Sequence, residues 1–182
     1  MDIMFAMSAT SSTGEPVFTS MKNTVKEIIN AYGLSFIKYS VAVFGSSFAR
    51  VFDFTARHES KSIIKKLIDS ASRIKTGPPS LTNAFTEIKT TFDAQSLRPN
   101  ARRVLVVMME ESSTQTEFAL MSAATSLRSS NILVIAVSFG RQIPIQEFDW
   151  ITLNRFYVMM MSPKESPRHV GLEIMTRAFK GE

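Results

Sequence analysis

Hydroxyl and carboxylate side chains are concentrated in three loops of this 182-residue chain. The first loop contains Ser8, Thr10 and Ser12, the second runs from Thr76 to Thr82, and the third begins with Glu110-Glu111. Hard oxygen atoms of these kinds can hold a divalent cation, and paired carboxylates can act as acid and base. Open α/β sheets bind their ligands at the carboxyl ends of strands, so the chemistry depends on which strands precede these loops.

Other catalytic and nucleotide-binding patterns are missing from the sequence. The sequence contains none of the motifs G-x-G-x-x-G, G-x-x-x-x-G-K-[ST] and G-x-S-x-G. It also contains no cysteine, which excludes thiol nucleophiles and cysteine-based zinc sites. The histidines His58 and His169 fall in a loop and in the last helix, as is typical of surface residues. No nucleophile stands beside Glu110 and Glu111, which we interpret as solvated carboxylates. The sequence therefore predicts no catalytic residues and no enzyme.

The elements that position these loops follow from the alternation of short apolar runs with longer amphipathic stretches. This alternation predicts a three-layer α/β/α fold with a doubly wound, mostly parallel six-stranded sheet. The short Gly45-Ser-Ser47 connection closes a hairpin, so one edge strand is expected to be antiparallel. The predicted strands are 2–7, 36–44, 48–54, 104–109, 131–139 and 156–161, and the predicted helices are 15–32, 60–74, 82–92, 116–127, 145–153 and 166–180.

The apolar positions of the helices predict which side chains face the sheet. No repeat or linker interrupts the pattern, so we expect a single domain over residues 1–182. In the second helix the side chains expected to face the sheet are Ile63, Ile64, Leu67 and Ile68. In the fourth helix they are Phe118, Leu120, Met121 and Leu127.

The order of these elements resembles that of von Willebrand factor A domains. The resemblance rests on the strand Asp2–Met7 running into a hydroxyl-rich loop closed by Gly14-Glu15, and on the hairpin from Tyr39 to Phe54. It also rests on the segment from Asn100 to Val107, which leads into an acidic loop. The resemblance covers nearly the whole chain and implies the same Rossmann-like fold.

The resemblance also implies a metal-ion-dependent adhesion site. In that family Asp-x-Ser-x-Ser, a threonine of a second loop and an aspartate of a third loop hold Mg²⁺. This sequence places Ser8, Thr10 and Ser12 in the first motif, Pro79 or Ser80 at the threonine position, and Glu110 at the aspartate position.

The change from aspartate to Ser8 bears on metal binding. Mg²⁺ is usually anchored by one or two carboxylates, and a neutral hydroxyl supplies none of that charge. We therefore expect a degenerate adhesion site with no bound cofactor and at most weak Mg²⁺ binding.

Degenerate sites of this kind are similar to those of the A domains in collagen VI α chains. This similarity implies a secreted, non-catalytic module that contacts extracellular matrix proteins or neighbouring A-type modules. We interpret Met1 as the start of a segment cut from a longer chain. Two alternatives remain open, namely an adhesion module that retains weak Mg²⁺ binding and a nucleotide-binding or enzymatic domain on a flavodoxin-like sheet.

The charge pattern offers a further partner class. The net charge is +5 with a sequence pI of 9.6, and basic residues concentrate at Lys61, Lys65, Lys66, Arg102 and Arg103. These patches could contact a sulfated glycosaminoglycan, although a solvated helix face is the interpretation we favour. Aromatic residues do not interleave with them, so nucleic acid is not expected. The longest apolar run, Ile132 to Val137, is too short to insert across a membrane.

Overall fold

The fold is known from a computed structural model, which describes residues 1–55, 60–74, 77–94, 98, 100–140, 143–162 and 164–180. The strands are β1 (Asp2–Ser8), β2 (Lys38–Phe44), β3 (Phe48–Phe52), β4 (Arg103–Met109), β5 (Ile132–Phe139) and β6 (Val158–Met161). The helices are α1 (Glu15–Tyr32), α2 (Lys61–Ser70), α3 (Leu81–Ala94), α4 (Glu117–Ser129), α5 (Ile145–Thr152) and α6 (Pro167–Lys180), and a short 3-10 turn, Arg155–Tyr157, precedes β6.

The six strands form one sheet in the order β3-β2-β1-β4-β5-β6. All neighbouring pairs are parallel except β2 and β3, so the predicted antiparallel edge strand is confirmed. Strands β1 and β4 lie at the centre, and their register pairs Met7 with Met108. The chain leaves β1 for α1 and leaves β4 for α4, so the strand order reverses between these two strands. This is the switch point at which doubly wound sheets bind ligands.

Helices cover both faces of the sheet. The larger core lies under α1, α2 and α6, and the other lies under α3, α4 and α5. Strand β4 supplies both cores because alternate residues point to opposite faces, with Val104 on one side and Leu105 on the other. A strand buried on both faces needs continuous apolar residues, which is the pattern that the sequence shows.

Helix α1 forms where the sequence predicts it. Its buried positions Val17, Met21, Val25 and Ile28 recur every three or four residues, and Pro16 occupies the first turn, where it costs no hydrogen bond. Gly33 ends the helix at φ 71°, a left-handed backbone that glycine adopts without strain.

Three predicted inward positions are wrong. Ile63 is 45% exposed because α2 buries only the stripe through Ile64 and Ile68, and Ile63 lies about 100° around the helix from Ile64. In α4 the buried stripe is Leu120, Ala124 and Leu127, and Phe118, two residues and about 200° away from Leu120, is 84% exposed. Met121 is 39% exposed for the same reason.

None of the helices within the described ranges combines the length and the apolar character that a membrane span requires.

Candidate functional site at the carboxyl edge of the sheet

The hydroxyl-rich loops meet at the carboxyl edge of the sheet. We call this region the crest and define it as residues 8–14, 45–47 and 110–116. Ala9 N–H donates to Phe44 O at 2.9 Å and Ala9 O accepts from Ile74 N–H at 2.5 Å, so the first loop is tied to β2 and to the segment after α2. The first and third loops singled out in the sequence therefore lie in the crest, and the second adjoins it where Ser80 N–H donates to Gly45 O. Thr76, at the start of that second loop, lies outside the described residues.

The first loop is a compact turn built from its own hydroxyls. Thr10 N–H donates to Thr13 Oγ1 at 3.1 Å, and Thr13 N–H donates back to Thr10 Oγ1 at 3.3 Å. Thr10 and Thr13 are buried, whereas Ser12 is exposed with its Oγ 3.0 Å from Thr10 Oγ1. The turn thus presents two adjacent hydroxyls, those of Thr10 and Ser12, toward the third loop.

Glu111 is the carboxylate that meets these hydroxyls. The Thr10 hydroxyl donates to Glu111 Oε1 and the Ser12 hydroxyl donates to Glu111 Oε2, both in short contacts. Both carboxylate oxygens are therefore engaged by the first loop. The family resemblance assigned Glu110, and not Glu111, to the third motif.

Glu110 performs a different task. Its Oε2 accepts a hydrogen bond of 2.7 Å from Gly14 N–H, at the residue that caps the amino end of α1. Negative charge at that end is stabilised by the unpaired N–H groups and by the helix dipole. Glu110 therefore anchors α1 to the third loop and directs this oxygen away from the hydroxyl pair.

Ser8 and Ser80 lie at the edges of this cluster. Ser8 is fully buried, and its Oγ has no hydrogen-bond partner among the described residues. Ser80 is half-buried and its backbone N–H donates to Gly45 O at 2.8 Å. No hydrogen bond between described residues joins the Ser80 side chain to Thr10, Ser12 or Glu111. The neighbouring Pro79 is buried.

Arg73 brings a positive charge to the crest. Its guanidinium donates to Thr13 O at 2.7 Å and lies 3.2 Å from the Glu15 carboxylate. Arg73 falls within the second helix as predicted from the sequence, over 60–74. The structure places it instead beside the first loop, because the chain after α2 runs back to that loop.

Glu147 holds the third loop in position. It lies in the first turn of α5, only 3% exposed, and its carboxylate accepts from Ser112 Oγ in a short contact and from Ser113 N–H at 2.8 Å. An acidic residue in a first turn is visible in the sequence, but its partners stand 34 and 35 residues away. The sequence therefore gave no indication that Glu147 supports the crest.

The basic residues proposed for polyanion contact are not brought together. Lys61, Lys65 and Lys66 lie on α2, which packs on the α1 side of the sheet, and Lys61 Nζ donates to Asn30 O at 2.8 Å. Arg102 and Arg103 lie at the amino end of β4 on the opposite face, where Arg103 reaches Asp93 of α3.

His169 takes no part in the crest. His169 is exposed on α6, where its Nε2 lies 3.9 Å from Glu165. His58 lies outside the described residues.

Comparison with known proteins adds a family and a set of similar folds. The sequence profile of the von Willebrand factor type A domain matches residues 2–165. A structure of proximal thread matrix protein 1 from the mussel byssus superposes with a TM-score of 0.84 at 19% identity, covering 96% of this chain and 46% of that one. A structure of the same mussel protein with a zinc-occupied MIDAS motif gives 0.81 at 18% identity, covering 97% of this chain and 45% of that one.

A third similar structure is the manganese-loaded TRAP protein of Plasmodium vivax. It gives a TM-score of 0.74 at 17% identity and covers 96% of this chain and 73% of that one. At these identities the likeness shows a shared fold. This chain spans less than half the length of the two mussel structures.

Proposed function

Because the chain belongs to the von Willebrand factor type A domain family, whose members are generally non-enzymatic interaction modules, we propose that it is an assembly module of an extracellular matrix protein. In this proposal it is similar to the A domains of collagen VI α chains and binds its partners through its protein surface, without an intact metal site. The partners are other matrix proteins or neighbouring A-type modules.

The arrangement of Glu111 is the observation that carries this proposal. Its two carboxylate oxygens accept hydrogen bonds from Thr10 and Ser12, which are the hydroxyls expected to ligate a cation. The hydroxyls keep their lone pairs in these bonds, so a cation would compete with the two hydroxyl protons for the Glu111 carboxylate. With Glu110 turned to Gly14, Glu111 is the one carboxylate that meets this hydroxyl pair in the described part of the chain, and its oxygens are already hydrogen-bonded from within the crest.

The chemistry of the donor set argues in the same direction. Mg²⁺ requires near-octahedral oxygen ligands and an anionic anchor to offset its dehydration. The opening position holds the neutral Ser8, and Glu110 is turned toward Gly14. By this chemistry the crest residues do not fit a resident divalent cation.

The setting in the extracellular matrix has separate support. The mussel byssus protein with the same fold is named as a matrix protein, and the family consists of protein-interaction modules. We infer secretion from this setting.

One observation favours a second candidate, an adhesion module with weak Mg²⁺ binding. Ser8 Oγ is buried without a partner among the described residues, and an unpaired buried hydroxyl costs about 1–3 kcal/mol. A cation that approached Ser8 would satisfy this oxygen.

Thermal unfolding in the presence of metal separates the two candidates. For the wild-type protein we expect the melting temperature to change by less than about 2 °C between EDTA and about 10 mM Mg²⁺ or Mn²⁺, because a dissociation constant above 10 mM adds little stability. A rise of several degrees that Glu111→Gln or Glu110→Ala removes would overturn the proposal in favour of the weak-metal candidate.

The variant Ser8→Asp provides a positive control. It places a carboxylate at the opening position, where we expect lower stability in EDTA and partial recovery in Mg²⁺, because a buried charge gains a counterion. Ser11→Asp adds the same charge at an exposed position of the same loop and should show no metal dependence. If Ser8→Asp fails to respond to metal, absence of the aspartate is not what limits cation binding.

A further inference from the structure

A basic groove lies at the amino ends of β4 and β5, at the opposite edge of the sheet from the crest. It has a volume of about 280 Å³ and is lined by Arg102, Arg103 and Arg128 together with Asn131. No Asp or Glu contributes to the lining among the described residues. We propose that this groove binds an acidic peptide segment of a partner protein, in which carboxylate side chains alternate with apolar ones.

The charges of Arg102 and Arg103 are only partly offset from within the protein. No hydrogen bond or ion pair between described residues engages the Arg102 guanidinium. Arg103 lies 3.5 Å from the Asp93 carboxylate, which is closer to Lys89, at 2.7 Å. Asp93 is therefore shared between two cations and only partly neutralises Arg103. An arginine can accept a carboxylate through two parallel hydrogen bonds, which makes carboxylate a suitable ligand.

The floor of the groove is apolar, and this favours a peptide over a sulfated polysaccharide. Leu133 and Leu153 are half-buried in the lining, above the buried Ile132, Ile151 and Tyr157. A peptide offers apolar side chains to this floor, and their burial removes water from around the arginine–carboxylate pairs and strengthens them. A sulfated sugar carries charge but has no aliphatic side chain for the floor. The volume is below that of typical small-molecule sites, so it suits one or two side chains at a time.

Two helix ends form part of the rim of the groove. Leu153 and Asn131 are the two non-glycine residues with positive φ in the described chain, both at 57°, and both line this groove. Leu153 caps the carboxyl end of α5 and Asn131 follows that of α4, so these left-handed caps hold the rim in place.

An NMR titration tests the proposal. The probe is the peptide acetyl-Glu-Leu-Asp-Leu-Glu-Gly-amide, added in EDTA at about 0.05 M salt to limit screening. We expect saturable shifts of the amide signals of Arg102, Arg103, Asn131 and Leu153. The same peptide with Gln and Asn in place of its acidic residues should not produce them.

Matched arginine variants complete the test. We expect Arg102→Gln to weaken peptide binding at least threefold and R102Q/R103Q at least tenfold, whereas Arg50→Gln on the exposed edge strand β3 should leave it unchanged. Arg102→Gln breaks no contact between described residues, so its effect does not depend on altered folding. Three results would each overturn the proposal: no saturable shift in the groove, equal loss in Arg50→Gln, or tighter binding of a heparin hexasaccharide than of the peptide.

EDTA keeps this outcome separate from the behaviour of the crest. Metal binding at the crest would refute the proposed function without affecting the proposal for the groove. A titration in which the peptide causes no shift in the groove would refute the proposal for the groove and leave the proposed function unaffected.

Discussion

Glu147 is a buried carboxylate that stabilises the crest through direct hydrogen bonds to residues far from it in the sequence. Glu147→Ala removes the acceptor of the Ser113 N–H and leaves that buried donor unpaired. We expect the free energy of unfolding to fall by about 2 kcal/mol, which lowers the melting temperature by about 4–8 °C for a chain of this size. Chemical denaturation and calorimetry measure the two quantities.

Two further variants isolate the hydrogen bond from the loss of volume. Glu147→Gln keeps an oxygen that can accept from Ser113, so we expect about half of the loss. Gln146→Ala, at an exposed neighbouring position of α5, should change stability by less than about 0.5 kcal/mol. A loss in Glu147→Ala no larger than that in Gln146→Ala would show that Glu147 does not support the third loop.

The residues of the crest were only partly predictable from sequence. The hydroxyls of Thr10 and Ser12 were predicted because a polar loop directly follows an apolar strand. Which of Glu110 and Glu111 meets the hydroxyls could not be derived from the sequence, because strand alternation ends at Met109 and the following loop has no period that determines which side chain turns inward. Glu147 was missed because its partners are distant in sequence.

At the scale of elements, the contact between α1 and α6 depends on one small residue. Gly171 is buried in α6, and a Cβ added there would lie 3.0 Å from Ile28 Cγ1 of α1. Gly171→Ala gains about 1 kcal/mol of helix propensity but incurs overpacking of about 1–3 kcal/mol. We therefore expect a net loss of stability of up to about 2 kcal/mol, measured by denaturant unfolding.

A double-mutant cycle with Ile28→Ala identifies the cause. Ile28→Ala alone leaves a cavity and should cost about 2–5 kcal/mol. In the Gly171→Ala background the added methyl occupies part of that cavity, so the loss should be smaller by about 1 kcal/mol or more. Simple additivity of the two changes would mean that the helices do not meet at these residues.

The elements themselves were largely predictable, for reasons that differ between them. The central strands are continuous apolar runs, and α1 combines a clear period with Pro16 and Gly33 at its ends. Helix α2 was predicted too long, because nothing between Ser70 and Ile74 breaks the apolar pattern, whereas the backbone leaves the helix at Ala71 and runs to the first loop. Amphipathicity predicted the helices better than it predicted their exact faces.

At the scale of the molecule, the net charge of +5 is divided between surfaces that face different ways. The lysines of α2 lie on the α1 side of the sheet and the arginines of the basic groove on the α3 side, so one extended polyanion cannot be held by a single continuous basic surface. Lys61 is also engaged by Asn30 O. We therefore expect weak retention on immobilised heparin, with elution near physiological ionic strength, about 0.15 M.

Charge-reversal variants show whether the two surfaces act independently. The triple variant Lys61→Glu, Lys65→Glu, Lys66→Glu and the double variant Arg102→Glu, Arg103→Glu should each advance elution, and their effects should add when combined, because groups far apart do not couple. The pair Arg50→Glu, Lys164→Glu changes the net charge as much as the double variant does and serves as its control. The opposite result would be elution of the wild-type protein far above about 0.15 M salt, with only the triple variant abolishing this retention. That result would identify α2 as a dedicated polyanion site, because charge dispersed over the surface cannot concentrate binding in one helix.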